Sequence, residues 1–458
     1  MTQATHIPYL WMSRLAHMTT PSARRRHDRE ILALAVPAFG ALVAEPLFLL
    51  ADSAIVGHLG TAQLAGLGIA SAALTTAIGV FVFLAYATTA AVARRIGAGD
   101  RRAAVQQGVD GLWLALLLSA GLTVLTLALA PQAAALLGAS PTAAPHAVTY
   151  LRISALGIPA MLVVLAATGV LRGLQDTRTP LLVAVAGFAA NAGLNLGLVY
   201  GAGLGVAGSA WGTVLAQNGM AAAYLLVVVR GARREGTSLR PDPAGIRACA
   251  RAGGPLVVRT LSLRAVLLIA TAVAANLGDA EIAAHQITLT IWVFTAFALD
   301  AIAIAGQAIV ARHLGAGDVP GARAATRRML RWGLGTGMVL GLLMVAAGPL
   351  YVPLFTADPT VQGLLSTALL LAALTQPAGG IVFVLDGVLM GAGDGGYLAR
   401  AMLGTLLVFV PAAVAVPVLG GGLAGLWWAM NLFMLTRTAF LVLRVRTGRW
   451  LVTGAVRA

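Results

Sequence analysis

The stretch Val-Ala-Arg-Arg-Ile-Gly-Ala-Gly-Asp at residues 92–100 recurs as Val-Ala-Arg-His-Leu-Gly-Ala-Gly-Asp at residues 310–318. The offset in numbering between the two copies is 218, because 310 minus 92 is 218. The same offset links four further matches: Pro37 with Pro255, Leu59-Gly60 with Leu277-Gly278, residues 170–173 with 388–391, and Asp176 with Asp394. One offset at five places predicts that the chain consists of two copies of one unit.

The composition of the chain indicates a membrane protein. Of its 458 residues, 59% are hydrophobic and only 10% are charged, whereas soluble domains carry about 25% charged residues. This composition excludes a cytosolic enzyme, a secreted domain and a disordered protein. The single cysteine, Cys249, excludes a disulfide within the chain and argues against a cysteine metal cluster.

Each copy of the repeat contains six apolar segments long enough to cross a bilayer, which takes about 20 residues. An even number of spans means that both copies enter the membrane from the same side. We therefore predict an all-α membrane protein with twelve transmembrane helices in two pseudo-symmetric six-helix lobes. Parallel repeats of this kind are typical of transporters, whose substrate site lies near mid-membrane between or within the halves and which work by alternating access.

The arginines predict the orientation of the chain. Its net charge of +15 would suggest nucleic-acid binding in a soluble protein, but here the loops after every odd-numbered segment contain no arginine. Arginine-rich short loops stay in the cytoplasm. We therefore expect no nucleic-acid partner, two cytoplasmic termini and a multi-pass location in a bacterial inner membrane. Only Arg152, Arg259 and Arg264 are expected inside the spans.

The predicted domain organisation follows the spans. It consists of a cytoplasmic N-terminal tail (1–30), an N lobe (31–230), a cytoplasmic linker (231–247), a C lobe (248–446) and a cytoplasmic C-terminal tail (447–458). The Gly-Ala-Gly-Asp sequences at 97–100 and 315–318 are expected to form tight turns. We expect the neighbouring Arg94 and Arg312 to contact anionic lipid or to set orientation.

Several motifs resemble the multidrug and toxic compound extrusion (MATE) family, closest to its bacterial DinF-like branch. Residues 52–60 resemble the family's first-helix signature, and residues 170–177 resemble the loop after its fourth helix. Residues 283–287 and 305–308 resemble parts of its eighth helix. The resemblance covers about residues 30–445. It implies twelve helices in two lobes and drug export driven by inward flow of H⁺ or Na⁺.

Asp52 is the first candidate for ion coupling. It lies five residues inside the outer end of the first span, about 8 Å from the interface. A charge in the hydrocarbon region costs about 2.5–3.5 kcal/mol or more, and burial favours the neutral carboxyl group, so Asp52 could take up a proton from outside. In the resembled family an Asp at this position is the proton-coupling residue. The alternative is a hydrogen-bonded Asp that only caps a helix end.

Asn191 and Asn195 are four residues apart in the fifth span and share one helix face. In many members of the resembled family the second position is an Asp that pairs with the Asp of the first helix. Because Asn195 replaces it, the site keeps a single carboxylate, which favours H⁺ over Na⁺ as coupling ion. The alternative is that both amides only hold helices together.

Further charged residues fall within the predicted spans. Glu45 and Arg264 are expected at matched depth, either paired with each other across the lobes or each paired within its own lobe. Asp300 and Asp386 are expected in the cytoplasmic half at a depth similar to that of Arg259, in a structural ion pair or alternatively in a second ion or substrate site. His285 is expected to be a packing or hydrogen-bonding residue rather than a proton relay.

We therefore predict a secondary active antiporter that works as a monomer and exports amphipathic drugs or toxins, expected to be cationic, across the bilayer. No nucleotide-binding motif occurs, and we expect no cofactor and no metal. The chain lacks a paired nucleophile and base, so an intramembrane enzyme is not expected. The alternatives are a lipid-linked saccharide flippase, which would need several arginines in its cavity, and a structural membrane scaffold.

Overall fold

The computed structural model describes residues 21–456, without the side chains of residues 21–24, 26 and 45. The described residues form long helices and no strand. We number the spans α1–α12. Their bounds are Pro21–Gly57 (α1), Thr61–Gly97 (α2), Arg101–Leu136 (α3), Ala144–Ala155 with Ile158–Gly173 (α4), Arg178–Gly201 (α5), Gly205–Arg234 (α6), Pro243–Leu277 (α7), Asp279–Gly315 (α8), Val319–Ala346 (α9), Pro359–Gly391 (α10), Gly395–Val418 (α11) and Gly422–Arg446 (α12).

Eleven of these helices are each long and apolar enough to cross a membrane, and α4 makes the twelfth span if its two helices count as one. The two helices of α4 meet at an angle of 53°. The second of them begins at Ile158, so Pro159 lies in its first turn, where proline is favoured because its missing N–H would be unbonded anyway. The predicted count of twelve spans is confirmed.

The repeat is visible in the backbone. Gly60, between α1 and α2, has φ of 141°, and Gly278, between α7 and α8, has φ of 150°. These conformations are accessible to glycine but strained for other residues. The two glycines are equivalent in the repeat, since 278 minus 60 is again 218, so equivalent turns join the first two helices of each lobe. The N lobe comprises α1–α6, and the C lobe comprises α7–α12.

Each lobe has its own packing centre. In the C lobe α10 packs against α8, α9 and α12, and α7 packs against α11. In the N lobe α2 packs against α4, and α5 packs against α1 and α6. The lobes meet mainly where α8 packs against α1 and α2 and where α7 packs against α2 and α3. The pseudo-equivalent helices α2 and α8 therefore form the centre of the lobe interface.

The lobes are closed together at one end of the molecule, where α2 ends and α3 begins; we call it the arginine-rich end. Gly97 lies against the backbone of Arg312, and Gly315 lies against the backbone of Arg94, with no room for a Cβ atom at either glycine. Ten side-chain hydrogen bonds that join the lobes lie in this half of the molecule.

Ion pairs reinforce this closure. Asp28 of α1 accepts two hydrogen bonds of 2.6 Å from Arg328 of α9, and Arg312 pairs with Glu30. The guanidinium group of Arg312 thus binds a carboxylate of the other lobe, whereas the expectation that it contacts lipid or sets orientation stays a prediction.

The C-terminal residues also join the two lobes. Arg94 of α2 is buried and donates hydrogen bonds to the carbonyl oxygens of Val452 at 2.6 Å, Gly454 at 2.9 Å and Ala392 at 3.1 Å. The amide of Gly454 in turn donates to the carbonyl of Leu314 in α8 at 3.0 Å. The expected lipid contact of Arg94 is therefore wrong. We call residues 451–454 the C-terminal strap.

The predicted tight turns are confirmed. Asp100 caps α3 by accepting a hydrogen bond of 2.8 Å from the amide of Ala103, and Asp318 caps α9 through the amide of Gly321 at 2.8 Å. The amide of Gly321 and the adjacent His313 hold the pKa of the Asp318 carboxyl below its ordinary value. A capping carboxylate is stabilised in this way at a helix N-terminus.

Two helix ends lie outside their predicted positions. Helix α1 begins at Pro21, so residues 21–30, which we expected in the tail, are helical; the ion pairs of Asp28 and Glu30 hold this extension against the C lobe. The linker is also shorter than predicted. Helix α6 continues to Arg234, and α7 begins at Pro243, where Asp242 accepts a hydrogen bond from the amide of Ala244 as its cap.

Candidate functional site

Asp52 lies at the centre of a buried hydrogen-bond network in the N lobe. Its Oδ1 accepts hydrogen bonds from Asn195 Nδ2 at 2.7 Å and from Ser209 Oγ at 2.6 Å. Its Oδ2 accepts from the hydroxyl of Tyr150 at 3.3 Å. Among the described residues the network contains one carboxylate and no cationic side chain, and only 3% of Asp52 is exposed.

The network continues through the second asparagine of α5. Asn195 Nδ2 also donates to Asn191 Oδ1 at 3.0 Å, and Asn191 Nδ2 donates to Thr213 Oγ1 at 3.1 Å. The prediction that the two asparagines share a helix face is confirmed. Thr213 and Ser209 are likewise four residues apart and share one face of α6. The polar face of α5 therefore lies opposite the polar face of α6.

Tyr150, Ser209 and Thr213 were not predicted from the sequence. Each is a common polar residue within a span, and none carries a charge that would mark it as costly in a membrane. A signal was nevertheless present in the repeat. The repeat equivalents of Asp52, Tyr150, Asn191, Asn195 and Ser209 are Ala270, Ala368, Phe409, Ala413 and Trp427. The equivalent of Thr213 is Asn431, which is polar, but Asp52 and its three hydrogen-bond donors have apolar side chains at the equivalent positions of the C lobe.

A cavity of about 390 Å³ lies beside this network. Its wall is mostly apolar and aromatic, with Phe48, Tyr86, Phe188 and Tyr224 among the lining side chains. Polar groups enter the wall at Tyr150, Asn191 and Thr213. This combination of apolar surface and a few polar groups is typical of small-molecule sites.

Asp52 itself does not line the cavity. Tyr150 lines it and donates to Asp52, and Asn191 lines it and reaches Asp52 through Asn195. The carboxylate is thus one side-chain layer behind the wall. A bound molecule would touch Tyr150 and Asn191, and a change in the protonation of Asp52 would reach it through these two residues.

The other predicted cavity residues divide into three groups. Asn191, Arg264 and Asp300 line the cavity, whereas Asn195 and Asp386 do not. Glu45 belongs to α1, but its side chain lies outside the described residues, so its predicted pairing with Arg264 stays a prediction. Asn195 does not line the cavity because its side chain points toward Asp52. Asp386 does not line it because its side chain binds arginines within the C lobe.

Asp386 forms an ion triad inside the C lobe. Its Oδ2 accepts a hydrogen bond from Arg259 Nη2 at 2.6 Å and another from Arg437 Nη2. The predicted pairing with Arg259 is confirmed, and Arg437 is an addition. Arg437 was expected among the arginines of helix ends, which is wrong. Only 5% of this residue is exposed, nine residues before the end of α12 at Arg446.

Asp300 differs from Asp52 and Asp386 in its contacts. Among the described residues it makes no ion pair within 4.0 Å, but its charge interacts with those of Arg172 and Arg259. Arg172 lines the cavity as well, although it was expected among the arginines near helix ends. The predicted ion pair between Asp300 and Arg259 is thus a longer-range attraction shared with Arg172.

His285, which we expected to pack or to form a hydrogen bond, is fully buried near Trp427, with the two rings 5.8 Å apart. Neither ring nitrogen has a hydrogen-bond partner in the described part of the chain. Packing is the role that this environment supports.

Two segments of the chain, residues 37–196 and 255–415, match the MatE family. The chain belongs to the MATE family. The two matches begin at Pro37 and Pro255, which are themselves an equivalent pair in the internal repeat. Family membership makes this chain a multi-pass membrane transporter of small molecules rather than an enzyme.

Individual relatives agree with this assignment. The protein DETOXIFICATION 44, chloroplastic, of Arabidopsis thaliana is 33% identical to this MATE chain, and the match covers 92% of this chain and 83% of the relative. The DNA damage-inducible protein F of Escherichia coli (strain K12) is 28% identical, over 90% of each chain. The bent form of the Vibrio cholerae MATE transporter VcmN superposes with a TM-score of 0.85 at 21% identity, over 93% of this chain and 98% of that one. This similarity confirms the predicted fold of two six-helix lobes.

Proposed function

We propose that this MATE transporter exports amphipathic compounds, including cationic ones, in exchange for protons. Asp52 is the residue that takes up and releases the coupling proton. The observation that carries the proposal is the network around Asp52, in which one buried carboxylate is bonded to neutral partners.

The partners of Asp52 suit a reversible change of protonation. In the arrangement described, Asn195, Ser209 and Tyr150 all donate, which stabilises the ionised carboxylate. The hydroxyls of Ser209 and Tyr150 can also accept a hydrogen bond. A protonated Asp52 could therefore donate to either of them after a rotation of the hydroxyl.

The proposed cycle links this proton to the cavity. Proton uptake at Asp52 would rearrange Tyr150 and the Asn195–Asn191 pair, and both Tyr150 and Asn191 line the cavity. A bound molecule would then lose or change its polar contacts and leave. Release of the proton on the other side of the membrane would restore the arrangement that binds the next molecule.

The direction of export depends on orientation. We propose that the arginine-rich end faces the cytoplasm of a bacterium, because arginine-rich loops stay on that side. The lobes are closed at this end, so the present conformation corresponds to one in which the cavity is shut off from the cytoplasm. A lipid-linked saccharide flippase is less well supported, because the cavity wall is mostly apolar and its described residues include two arginines, Arg172 and Arg264, rather than a larger cluster.

The proposal is tested with purified protein in liposomes that carry either an imposed pH gradient or an imposed Na⁺ gradient. A panel of fluorescent amphipathic dyes, ethidium among them, reports transport. Dye movement that follows the pH gradient and ignores Na⁺ supports the proposal. Movement driven by Na⁺ alone would overturn proton coupling.

A further inference from the structure

We propose that Arg264 recognises an anionic group, such as a carboxylate, on the transported molecule. The proposal rests on the transport role argued above and names a property of its substrates. It makes Arg264 a specificity-determining residue, and it extends the substrates from cations to amphipathic acids and zwitterions.

The two lobes contribute different chemistry to the cavity. Its described lining residues come from the N lobe with two exceptions, Arg264 of α7 and Asp300 of α8. The N lobe supplies the apolar and aromatic wall and one charge, that of Arg172. The C lobe therefore contributes nothing but charged groups to the described wall, which is the arrangement expected of residues that select a ligand by its charge.

The charges of the cavity wall are not balanced. The charge of Asp300 interacts with Arg172 and Arg259, and that of Arg259 is also paired with Asp386. No described carboxylate lies within 4.0 Å of Arg264, and the charged groups around it in the wall, Arg172 and Asp300, already attract each other. The excess charge of the described wall is therefore positive and resides on Arg264.

The guanidinium group of Arg264 lies deep within the predicted membrane region. Arg264 is 13 residues from the outer end of α7 at Leu277, about 20 Å along the helix. An arginine at such depth is costly unless it faces a water-filled cavity or a partner. Arg264 is exposed within the cavity, so its donors are available to a ligand.

Arg264 also contacts the N lobe. A Cβ atom at Gly79 would lie 2.7 Å from a guanidinium nitrogen of Arg264. Glycine at this position of α2 therefore lets the guanidinium group lie directly against the helix backbone, where α2 changes to a single 3₁₀ turn over Val80–Val82. Guanidinium donors held in one place can form two parallel hydrogen bonds with a carboxylate.

The test measures equilibrium binding of two dyes to the purified full-length protein, so that no ion gradient is needed. One dye is a rhodamine with a free carboxylate, and the other is its methyl ester. We expect the wild type to bind the carboxylate dye more tightly than the ester. Arg264→Gln should weaken binding of the carboxylate dye about tenfold or more and leave the ester unchanged or more tightly bound.

Two further variants separate recognition from folding. Gly79→Ala keeps the charge of Arg264 but displaces the flexible end of its side chain. It should therefore weaken binding of the carboxylate dye several-fold and leave binding of the ester unchanged. Arg152→Gln removes an exposed arginine of α4 that does not line the cavity, and it should change neither dye.

Several outcomes would overturn the proposal. They are equal losses of affinity for both dyes in Arg264→Gln, an unchanged preference for the carboxylate dye in that variant, or no binding of the carboxylate dye to the wild type.

Glu45→Gln provides a further check. Loss of an acid that is expected near the depth of Arg264 should maintain or strengthen binding of the carboxylate dye, and a weakening would contradict the account. Failure of proton coupling would instead appear as gradient-independent transport, with the binding preference intact.

Discussion

Asp52 Oδ1 accepts a hydrogen bond of 2.7 Å from Asn195 Nδ2, across the interface of α1 and α5. An amide thus stands at the position where the resemblance described above implies a second carboxylate. Asp52 and Asn195 therefore contact each other as two paired carboxyl groups would, but only Asp52 carries a charge. The contact leaves the described network of the N lobe with a single carboxylate among neutral donors, which is the basis of the proposed proton coupling.

Removing one donor from Asp52 should shift the pH dependence of transport. Ser209→Ala deletes a hydrogen bond of 2.6 Å to the carboxylate, and hydrogen bonds to charged groups contribute about 1.5–3 kcal/mol. The loss disfavours the ionised form, so the pH profile of dye efflux should move to higher pH by about 1–2 units.

The pH profile is measured in liposomes at fixed gradient size. Ser119→Ala is the matched control, because Ser119 is a buried serine of α3 that bonds the carbonyl of Leu116 and not Asp52. A profile that stays in place in Ser209→Ala, or that moves equally in the control, would mean that Asp52 does not control the pH dependence.

Restoring a second carboxylate should allow coupling to Na⁺. In Asn195→Asp the new carboxylate would face Asp52, and two carboxylates that share a site cannot both stay ionised without a proton or a cation between them. We expect dye efflux in a Na⁺ gradient, which the wild type should lack. Asn218→Asp makes the same exchange in α6, where Asn218 bonds the carbonyl of Val214, and should give no Na⁺ response. Absence of a Na⁺ response in Asn195→Asp would show that the amide does not decide the ion.

The ion triad of the C lobe should serve stability rather than coupling. Asp386→Asn leaves Arg259 and Arg437 buried without their carboxylate, and breaking a buried ion pair costs about 3–5 kcal/mol. We expect a marked decrease in the thermal unfolding temperature in detergent, with any folded protein still responding to the pH gradient. Asp279→Asn, at an exposed position in the first turn of α8, should change little. Unaltered stability with lost proton response would assign Asp386 to coupling.

The C-terminal strap should hold the arginine-rich end closed. Arg94→Gln removes the three hydrogen bonds to Val452, Gly454 and Ala392, so the lobes should separate more often at this end. Spin labels at Arg102→Cys and Arg327→Cys, in a Cys249→Ser background, report the distance between the lobes. We expect a larger population at long distance than in the labelled protein that keeps Arg94.

A surface ion pair provides the control for the strap. Arg101 pairs with Glu235 at 3.4 Å, with 73% of the Arg101 side chain exposed, and such pairs contribute about 0–1 kcal/mol. Arg101→Gln should therefore leave the distance distribution unchanged. The same distribution in Arg94→Gln as in the wild type would exclude the strap as a closing element.

The architecture could be predicted from the sequence because each membrane span is a continuous stretch of apolar residues that can be recognised without knowing its neighbours. The twelve spans and the turns at Asp100 and Asp318 depend on local patterns, and the internal repeat depends on the comparison of two stretches of sequence. The structure confirms all three. Asp52, Asn191 and Asn195 could be selected because polar groups within spans are costly and helix periodicity places residues four apart on one face.

Contacts between distant parts of the chain could not be predicted in this way. Arg437 and Asp386 are 51 residues apart, and Arg94 and Gly454 are 360 apart. Arg94 was expected at the lipid surface because its loop is arginine-rich, but packing of the two lobes turns it inward. The position of Tyr150 between Asp52 and the cavity likewise results from the packing of different helices, and it cannot be predicted from the periodicity of one helix.

The most direct test of the proposed proton coupling compares the wild type with Asp52→Asn in liposomes that carry an imposed pH gradient, using the dye that the wild type transports best. The asparagine keeps the size of the side chain and removes its titration. We predict that Asp52→Asn still binds the dye but no longer moves it in response to the pH gradient. Undiminished pH-driven efflux in Asp52→Asn would contradict the account.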